Sequence, residues 1–335
     1  MVGTAANTFA HNQSHKRIVV NEISRLYDSC GRPTINFRVS LTQRCNLKCP
    51  YCHREGQLRG SSPREMTADE VERLVKIAVS LGITYVKITG GEPLLREDIV
   101  DIVGRIAKIE GLQDVSITTN GTRLSTFAKP LREAGLKRVN INIASLNAET
   151  YHKLNGGNLN DALEGVQAAV KAGFSPVKLN YLLLRGVNEN EVNDMMAFAE
   201  NNNIILQMLE LEPVNTEDSY FKKHYYPLNE IEEALKEKAI SINQRKEMQN
   251  RRIYNLPNLK VEVVNSLENS AFCARCARLR LTSNGFLKPC LMVLDNLVDV
   301  LTPLRNGADD IELKKYFLEA VRRRKPYFQP LKTES

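Results

Sequence analysis

The chain has 335 residues, 42% hydrophobic and 25% charged, which fits a globular protein with a sizeable core and excludes a disordered chain. Seven cysteines exclude a disulfide-dense scaffold, no run of about 18 apolar residues offers a membrane span, and the start lacks a secretory pattern, so a cytoplasmic protein is expected. A net charge of +7 suits an anionic partner (nucleotide, nucleic acid or phosphorylated metabolite), and solubility alone would also explain it.

Residues 1–20 are polar and aperiodic, and read as a flexible tail. Strand and helix patterns then alternate. A strand is predicted over Ile35 to Leu41 and a helix over Thr67 to Ser80. That helix opens with a Thr67/Glu70 capping box and carries a stripe of Val71, Leu74, Val75, Ala78 and Val79. Thr84 to Thr89 is the second strand, and Ile99, Ile102, Val103 and Ile106 mark the next helix. Val115 to Thr119 is a strand closed by Asn120-Gly121. A short helix near Phe127 leads to a strand at Val139 to Ile143. Leu163, Val166, Ala169 and Val170 mark a helix ending at Gly173. Val177 to Leu183 is a strand, Val192 to Ala199 a helix, and Ile204 to Leu211 a sixth strand.

Six strand–helix units in a row predict an α/β fold, a partial (β/α)6 barrel over residues 21–212. Active residues of such barrels sit at the C-terminal ends of strands. After Glu212 the pattern changes to a charged helix near Ile231 to Lys238, short strands, a second cysteine cluster and a final helix near Ile311 to Arg323. Residues 213–335 are expected to form a C-terminal region packed on the barrel.

Cys45-Asn-Leu-Lys-Cys49-Pro-Tyr-Cys52 follows the first strand. A structural zinc site wants four ligands in close pairs, and no fourth cysteine is near. Three thiolates suit a four-iron cluster that leaves one iron open to a substrate. His53 reads as a surface loop histidine rather than a fourth ligand. This triplet resembles the signature of the radical S-adenosylmethionine (SAM) enzymes. The resemblance implies a [4Fe-4S] cluster on Cys45, Cys49 and Cys52, with SAM chelating the open iron and cleaved by one electron to a 5′-deoxyadenosyl radical. It also implies that Tyr51 packs near the adenine. Thr89-Gly90-Gly91-Glu92-Pro93 resembles the family's second motif, so Gly91 is expected at SAM. Physically, two glycines admit close backbone approach, and Glu92 could accept from an ammonium.

Cys273-Ala-Arg-Cys276 and Cys290 form a second triplet. Ser283-Asn284-Gly285 between them is a hairpin signal that would return Cys290 to the pair. Taken alone, the triplet fits a zinc site with an external ligand or a second cluster with an open iron. With Arg278-Leu279-Arg280 beside it, the spacing resembles one radical SAM branch, the GTP 3′,8-cyclases of molybdenum cofactor biosynthesis, from about Arg38 to Leu301. That resemblance implies a second [4Fe-4S] cluster on Cys273, Cys276 and Cys290 that holds the guanine base. It implies GTP contacts at Arg38, Lys87, Thr118, Lys178, Arg278, Leu279 and Arg280. Independently, alternating Arg278 and Arg280 would share one strand face, and a lysine inside a barrel strand requires an anion.

The sequence departs from the family at several points. Asn140-Ile141-Asn142-Ile143-Ala144-Ser145 replaces a Ser-Leu-Asp-Ser pattern, leaving Asn142 as the expected SAM contact. Glu212 stands where many members carry a SAM-side Met, and Tyr85 where Lys is common. The last residues, Lys332-Thr333-Glu334-Ser335, are not the Gly-Gly tail of many members. Cys30 fits neither triplet.

The expected activity is GTP 3′,8-cyclisation, with an electron donor and a downstream cyclic pyranopterin synthase as partners, a homodimer left open, and neither membrane nor nucleic acid bound. Another twin-cluster radical SAM enzyme, such as a peptide modifier, is the alternative. A basic zinc protein binding nucleic acid is a more distant one.

Overall fold

A computed structural model describes residues 25–57 and 65–329. The expected tail at 1–20 and the residues Lys332 to Ser335 lie outside that range.

Six strands follow the expected order: β1 Asn36–Ser40, β2 Tyr85–Thr89, β3 Asp114–Thr119, β4 Arg138–Asn142, β5 Val177–Leu182 and β6 Ile205–Leu209. Between them run α1 Ala68–Ser80, α2 Ile99–Ala107, α3 Leu124–Glu133, α4 Ala148–Asn155, α5 Leu159–Lys171 and α6 Val192–Asn201. Helix α1 has its capping box: Glu70 N donates to Thr67 Oγ1 at 3.2 Å, and Thr67 N to Glu70 Oε2 at 2.8 Å. Helix α4 has no counterpart in the sequence reading, because it lacks a long apolar stripe. Its ends define it instead: Asn147 accepts from Thr150 N at 2.9 Å, and Gly156 closes it at φ +76°.

The C-terminal part holds α7 Asp218–His224, α8 Asn229–Lys238, β7 Ser241–Arg245, β8 Arg251–Asn255, β9 Lys260–Val264, α9 Ser270–Ala274, β10 Arg278–Leu281, β11 Phe286–Lys288, β12 Val298–Asp299, α10 Leu301–Arg305 and α11 Asp310–Arg322. These strands do more than pack on the barrel. One twelve-stranded sheet runs β12-β11-β10-β1-β2-β3-β4-β5-β6-β9-β8-β7. Strand β10 lies parallel to β1, with Arg280 opposite Arg38, and β9 lies parallel to β6, with Val263 opposite Met208. The late part of the chain thus extends the parallel sheet at both edges, giving an open, partial barrel. Local periodicity shows that a strand exists and not which distant strand it pairs with, so this was not legible.

Strand alternation sorts the residues into two faces. Phe37, Val39, Ile88, Ile117, Ile141, Leu179 and Leu206 are buried in the main core with the helices. Arg38, Lys87, Thr118, Asn140, Lys178 and Gln207 point the other way, into a cavity. Among the described residues, no helix is long and apolar enough to cross a membrane.

Candidate active site

The cavity has a volume of about 300 Å³ and takes in the loops that follow β1 to β4. Cys45, Cys49 and Cys52 all line it, together with Gly90, Gly91, Tyr51, Asn142 and Glu212. The glycines are needed because the cysteine loop lies on them. A Cβ on Gly90 would stand 2.8 Å from the Thr42 carbonyl, and one on Gly91 would stand 2.6 Å from that of Gln43. Gly91 N donates to Thr42 O at 2.6 Å, and Glu92 N to Arg44 O at 2.7 Å, which pins this loop to the end of β2. The close approach inferred from the sequence is therefore made first to the chain's own loop.

Glu92 turns toward the chain's own donors rather than lining the cavity. It is buried and accepts from Thr119 Oγ1 at 2.7 Å, Asn120 N at 2.7 Å and Leu94 N at 3.0 Å. Burial raises its carboxyl to about 7 despite these donors. Its effect is to place Asn120, whose Nδ2 reaches Cys45 Sγ at 3.9 Å and Asn46 Oδ1 at 2.9 Å. Leu47 N also donates to Cys45 Sγ, at 3.4 Å. Tyr51 packs on the small apolar cluster of Ala144, Leu154, Leu184 and Leu211. Asn142 accepts from Asn180 Nδ2 at 2.7 Å at the end of β4. His53 is no plain surface residue, since its Nδ1 accepts from Glu55 N at 3.0 Å and caps the turn Arg54–Gly56.

The donor set fits an iron–sulfur cluster. Among the described residues no three His, Cys, Asp or Glu side chains close on a single ion. A four-iron cubane asks for something different, because each thiolate takes its own corner iron. Desolvation pushes the Cys49 thiol up to about 12, so its thiolate calls for a bound cation.

Beyond the thiols the cavity becomes cationic. Arg38, Lys87, Lys178, Arg278 and Arg280 line it, as does Thr118. Leu279 is the exception among the expected GTP contacts. Alternation turns its side chain into the main core, fully buried, so only its backbone remains for a ligand. Arg38 and Arg280 share Glu55, at 3.3 Å and 3.4 Å. Burial would raise Glu55, but Arg38, His53 and Arg280 together hold it at about 2. Among the described residues Arg278 has no carboxylate partner. Lys87 Nζ donates to Asn140 Oδ1 at 2.8 Å, and burial, with Arg38, Arg138 and Lys178 nearby, drives it well below the ordinary lysine range. Lys178 has the anion that the sequence demanded, and it is Glu262, a residue of the chain itself. The field of Glu212 reaches Arg38, which sets it beside the cations. Sequence reasoning missed Glu55, Arg138, Arg245, Arg251 and Glu262, because in isolation each reads as an ordinary charged residue.

The second triplet is also assembled. Strands β10 and β11 pair antiparallel, with Arg280 opposite Lys288, through a turn in which Gly285 has φ +81°. Burial raises the Cys273 thiol, which accepts from the Phe328 and Tyr327 backbone and feels both Cys276 and Cys290. Buried Arg324 donates to the Cys276 carbonyl and to Thr34 Oγ1. The cavity lining takes in their chain neighbours Arg278, Arg280 and Leu291 rather than the three cysteines themselves.

The radical SAM superfamily model matches residues 39–199, and the Molybdenum Cofactor Synthesis C model matches residues 204–330. The chain is 48% identical over 310 residues to a "Probable GTP 3′,8-cyclase" of Pyrococcus abyssi, across 90% of this chain and 99% of that one. It is 47% identical over 311 residues to the protein of the same description from Thermococcus kodakarensis, across 91% and 100%. Among solved structures, Streptococcus suis SuiB aligns with TM-score 0.58 at 16% identity, over 89% of this chain and 68% of that one, a likeness of fold. With its cysteine loop seated on two glycines at the strand ends, and with residues 39–199 and 204–330 matched by the two models, the chain belongs to the radical SAM superfamily and, within it, to the GTP 3′,8-cyclase family.

Proposed function

We propose that the chain cyclises GTP to (8S)-3′,8-cyclo-7,8-dihydroguanosine 5′-triphosphate, the first step of molybdenum cofactor biosynthesis. The observation that carries this reading is a single cavity with three thiols and two glycines at one end and a set of buried cations in its wall. Cys45, Cys49 and Cys52 would hold one [4Fe-4S] cluster and Cys273, Cys276 and Cys290 the other. When bound, the first cluster and SAM supply one-electron chemistry able to remove a hydrogen atom from the ribose. The chain's own part is placement. Gly91, Tyr51, Asn142 and Glu212, all in the cavity wall, would contact SAM, with Glu212 close enough to Arg38 to act on its charge. Arg38, Lys87, Lys178, Arg278 and Arg280, with the Thr118 hydroxyl, bind and orient the nucleotide by charge-assisted contacts. The reading calls for an electron donor, for a cyclic pyranopterin synthase to take the product, and for a cytoplasmic setting.

The test is anaerobic incubation of the reconstituted protein with GTP, SAM and reductant, with the products identified by mass spectrometry. Cyclised dihydro-GTP is expected in step with 5′-deoxyadenosine. SAM cleavage without any product from GTP overturns the reading.

A further inference from the structure

Glu262 on β9 is fully buried and stands at the centre of three cations. Lys178 pairs with it from β5, Arg245 Nη1 lies 3.2 Å away on β7, and Arg251 Nη1 lies 3.3 Å away on β8. The three positive charges hold Glu262 at about 2, although burial pulls the other way. One carboxylate balances one of the three cations, so two positive charges remain, and two of the cations, Lys178 and Arg251, are buried.

The strand register sharpens the imbalance. In the β7–β8 ladder Arg251 lies directly opposite Arg245, and like charges so placed destabilise a hairpin. Arg251 also feels Arg38 from another strand of the barrel. Its side chain is buried, its Nη2 donates to Gln249 Oε1 at 2.9 Å, and its Nε has no hydrogen-bond partner among the described residues. Structural duty alone would leave a buried donor unused and two charges unanswered. Both arginines line the cavity of the proposed active site. The turn before Arg251 is held in an unusual shape, with Gln249 at φ +65° and Asn250 at φ +57°. Gln249 N donates to Arg275 O at 3.1 Å, which ties this turn to the segment between Cys273 and Cys276.

We propose that the β7–β8 hairpin is a phosphate-reading arm. Arg245 and Arg251, spaced by Glu262 and joined by Lys178, take the terminal phosphate groups of the nucleotide. They make the site selective for a nucleoside triphosphate over the di- and monophosphate. The inference rests on the GTP reading above and deepens it, because it assigns residues to the far end of the substrate.

The experiment measures GTP, GDP and GMP affinity by calorimetry on the full, anaerobically reconstituted chain, for the parent, Arg251→Gln and Arg245→Gln. Arg245→Gln guards against a folding defect, since its side chain is 27% exposed and its loss leaves Glu262 two cations. Each variant is expected to lose about ten-fold or more in GTP affinity while GMP affinity stays within about two-fold, so that the GTP:GMP preference collapses. KM for GTP should rise, with kcat at saturation little changed. An unchanged GTP:GMP ratio in Arg245→Gln overturns the arm, even if the parent makes the cyclised product. A collapsed ratio in a protein that makes no such product sustains the arm and removes the cyclase reading instead.

Discussion

The two cysteine triplets are built in opposite ways. Cys45, Cys49 and Cys52 lie within one loop and face the cavity, and that loop is seated on Gly90 and Gly91 by backbone hydrogen bonds. Cys273, Cys276 and Cys290 are split across the β10–β11 hairpin, beside the cavity-lining Arg278, Arg280 and Leu291, and lean on distant chain. Cys273 takes backbone donors from Phe328 and Tyr327, and the Cys276 carbonyl is held by Arg324. The first stands on neighbouring loops of the barrel itself and the second on the last residues of the described chain. The first should therefore survive changes elsewhere that dismantle the second.

Replacing each triplet tests that contrast most strongly. With Cys45, Cys49 and Cys52 changed to Ala, reductive SAM cleavage should vanish. With Cys273, Cys276 and Cys290 changed to Ala, uncoupled SAM cleavage should persist while GTP turnover stops. The parent should bind about eight irons and each triple variant about four. Stoichiometric zinc in place of iron, or cyclisation that survives loss of the second triplet, breaks the contrast.

A smaller effect should come from Arg324→Met. Arg324 is fully buried, and although Asp28 at 3.5 Å keeps Arg32 at 2.8 Å, the variant loses the charged donors to the Cys276 carbonyl and Thr34, each worth about 1.5–3 kcal/mol. Iron should fall by about half through loss at the second triplet, with SAM cleavage retained. Iron analysis alongside a thermal melt checks it, and equal loss of iron from both triplets counts against independent construction.

The gentlest probe is pH. Burial lowers Lys178 to about 8, against the pull of Glu262. The lysine is charged below that value and neutral above it, and a polyanion prefers the charged form. GTP affinity should therefore fall as pH rises through about 8, by no more than about ten-fold per pH unit, while SAM binding is unmoved. Lys178→Arg should flatten the curve. Lys288 also lies at about 8 but outside the cavity wall, so a parent-like slope in Lys178→Arg would shift the effect to another group.

What the sequence revealed follows the same division. The Thr67 cap, the Cys45 loop and Gly90-Gly91 are read from neighbours a few residues apart. The hairpin at Gly285 is equally local, and it returned Cys290 as expected. Glu262 has no such signature. Its meaning appears only when β9 pairs with β6 and the β7–β8 hairpin folds beside it. Glu55 likewise gains its role when β10 lands next to β1 and delivers Arg280 to Arg38. Leu279 shows the converse, since a motif names three adjacent residues and strand geometry sends the middle one to the core.

The placement of β10 and β9 on opposite edges has a consequence for synthesis. As the chain leaves the ribosome, β1 to β6 are made first, and both outer strands, β1 and β6, have open hydrogen-bonding edges. Their parallel partners arrive only after residue 259, and β10 after 277. Until then the nascent sheet presents two unpaired edges, a template for misassociation with other chains. A fragment ending near residue 212 would keep both edges permanently, so the cysteine loop, though its contacts lie within the barrel, depends on later-made strands to cover the scaffold's edges.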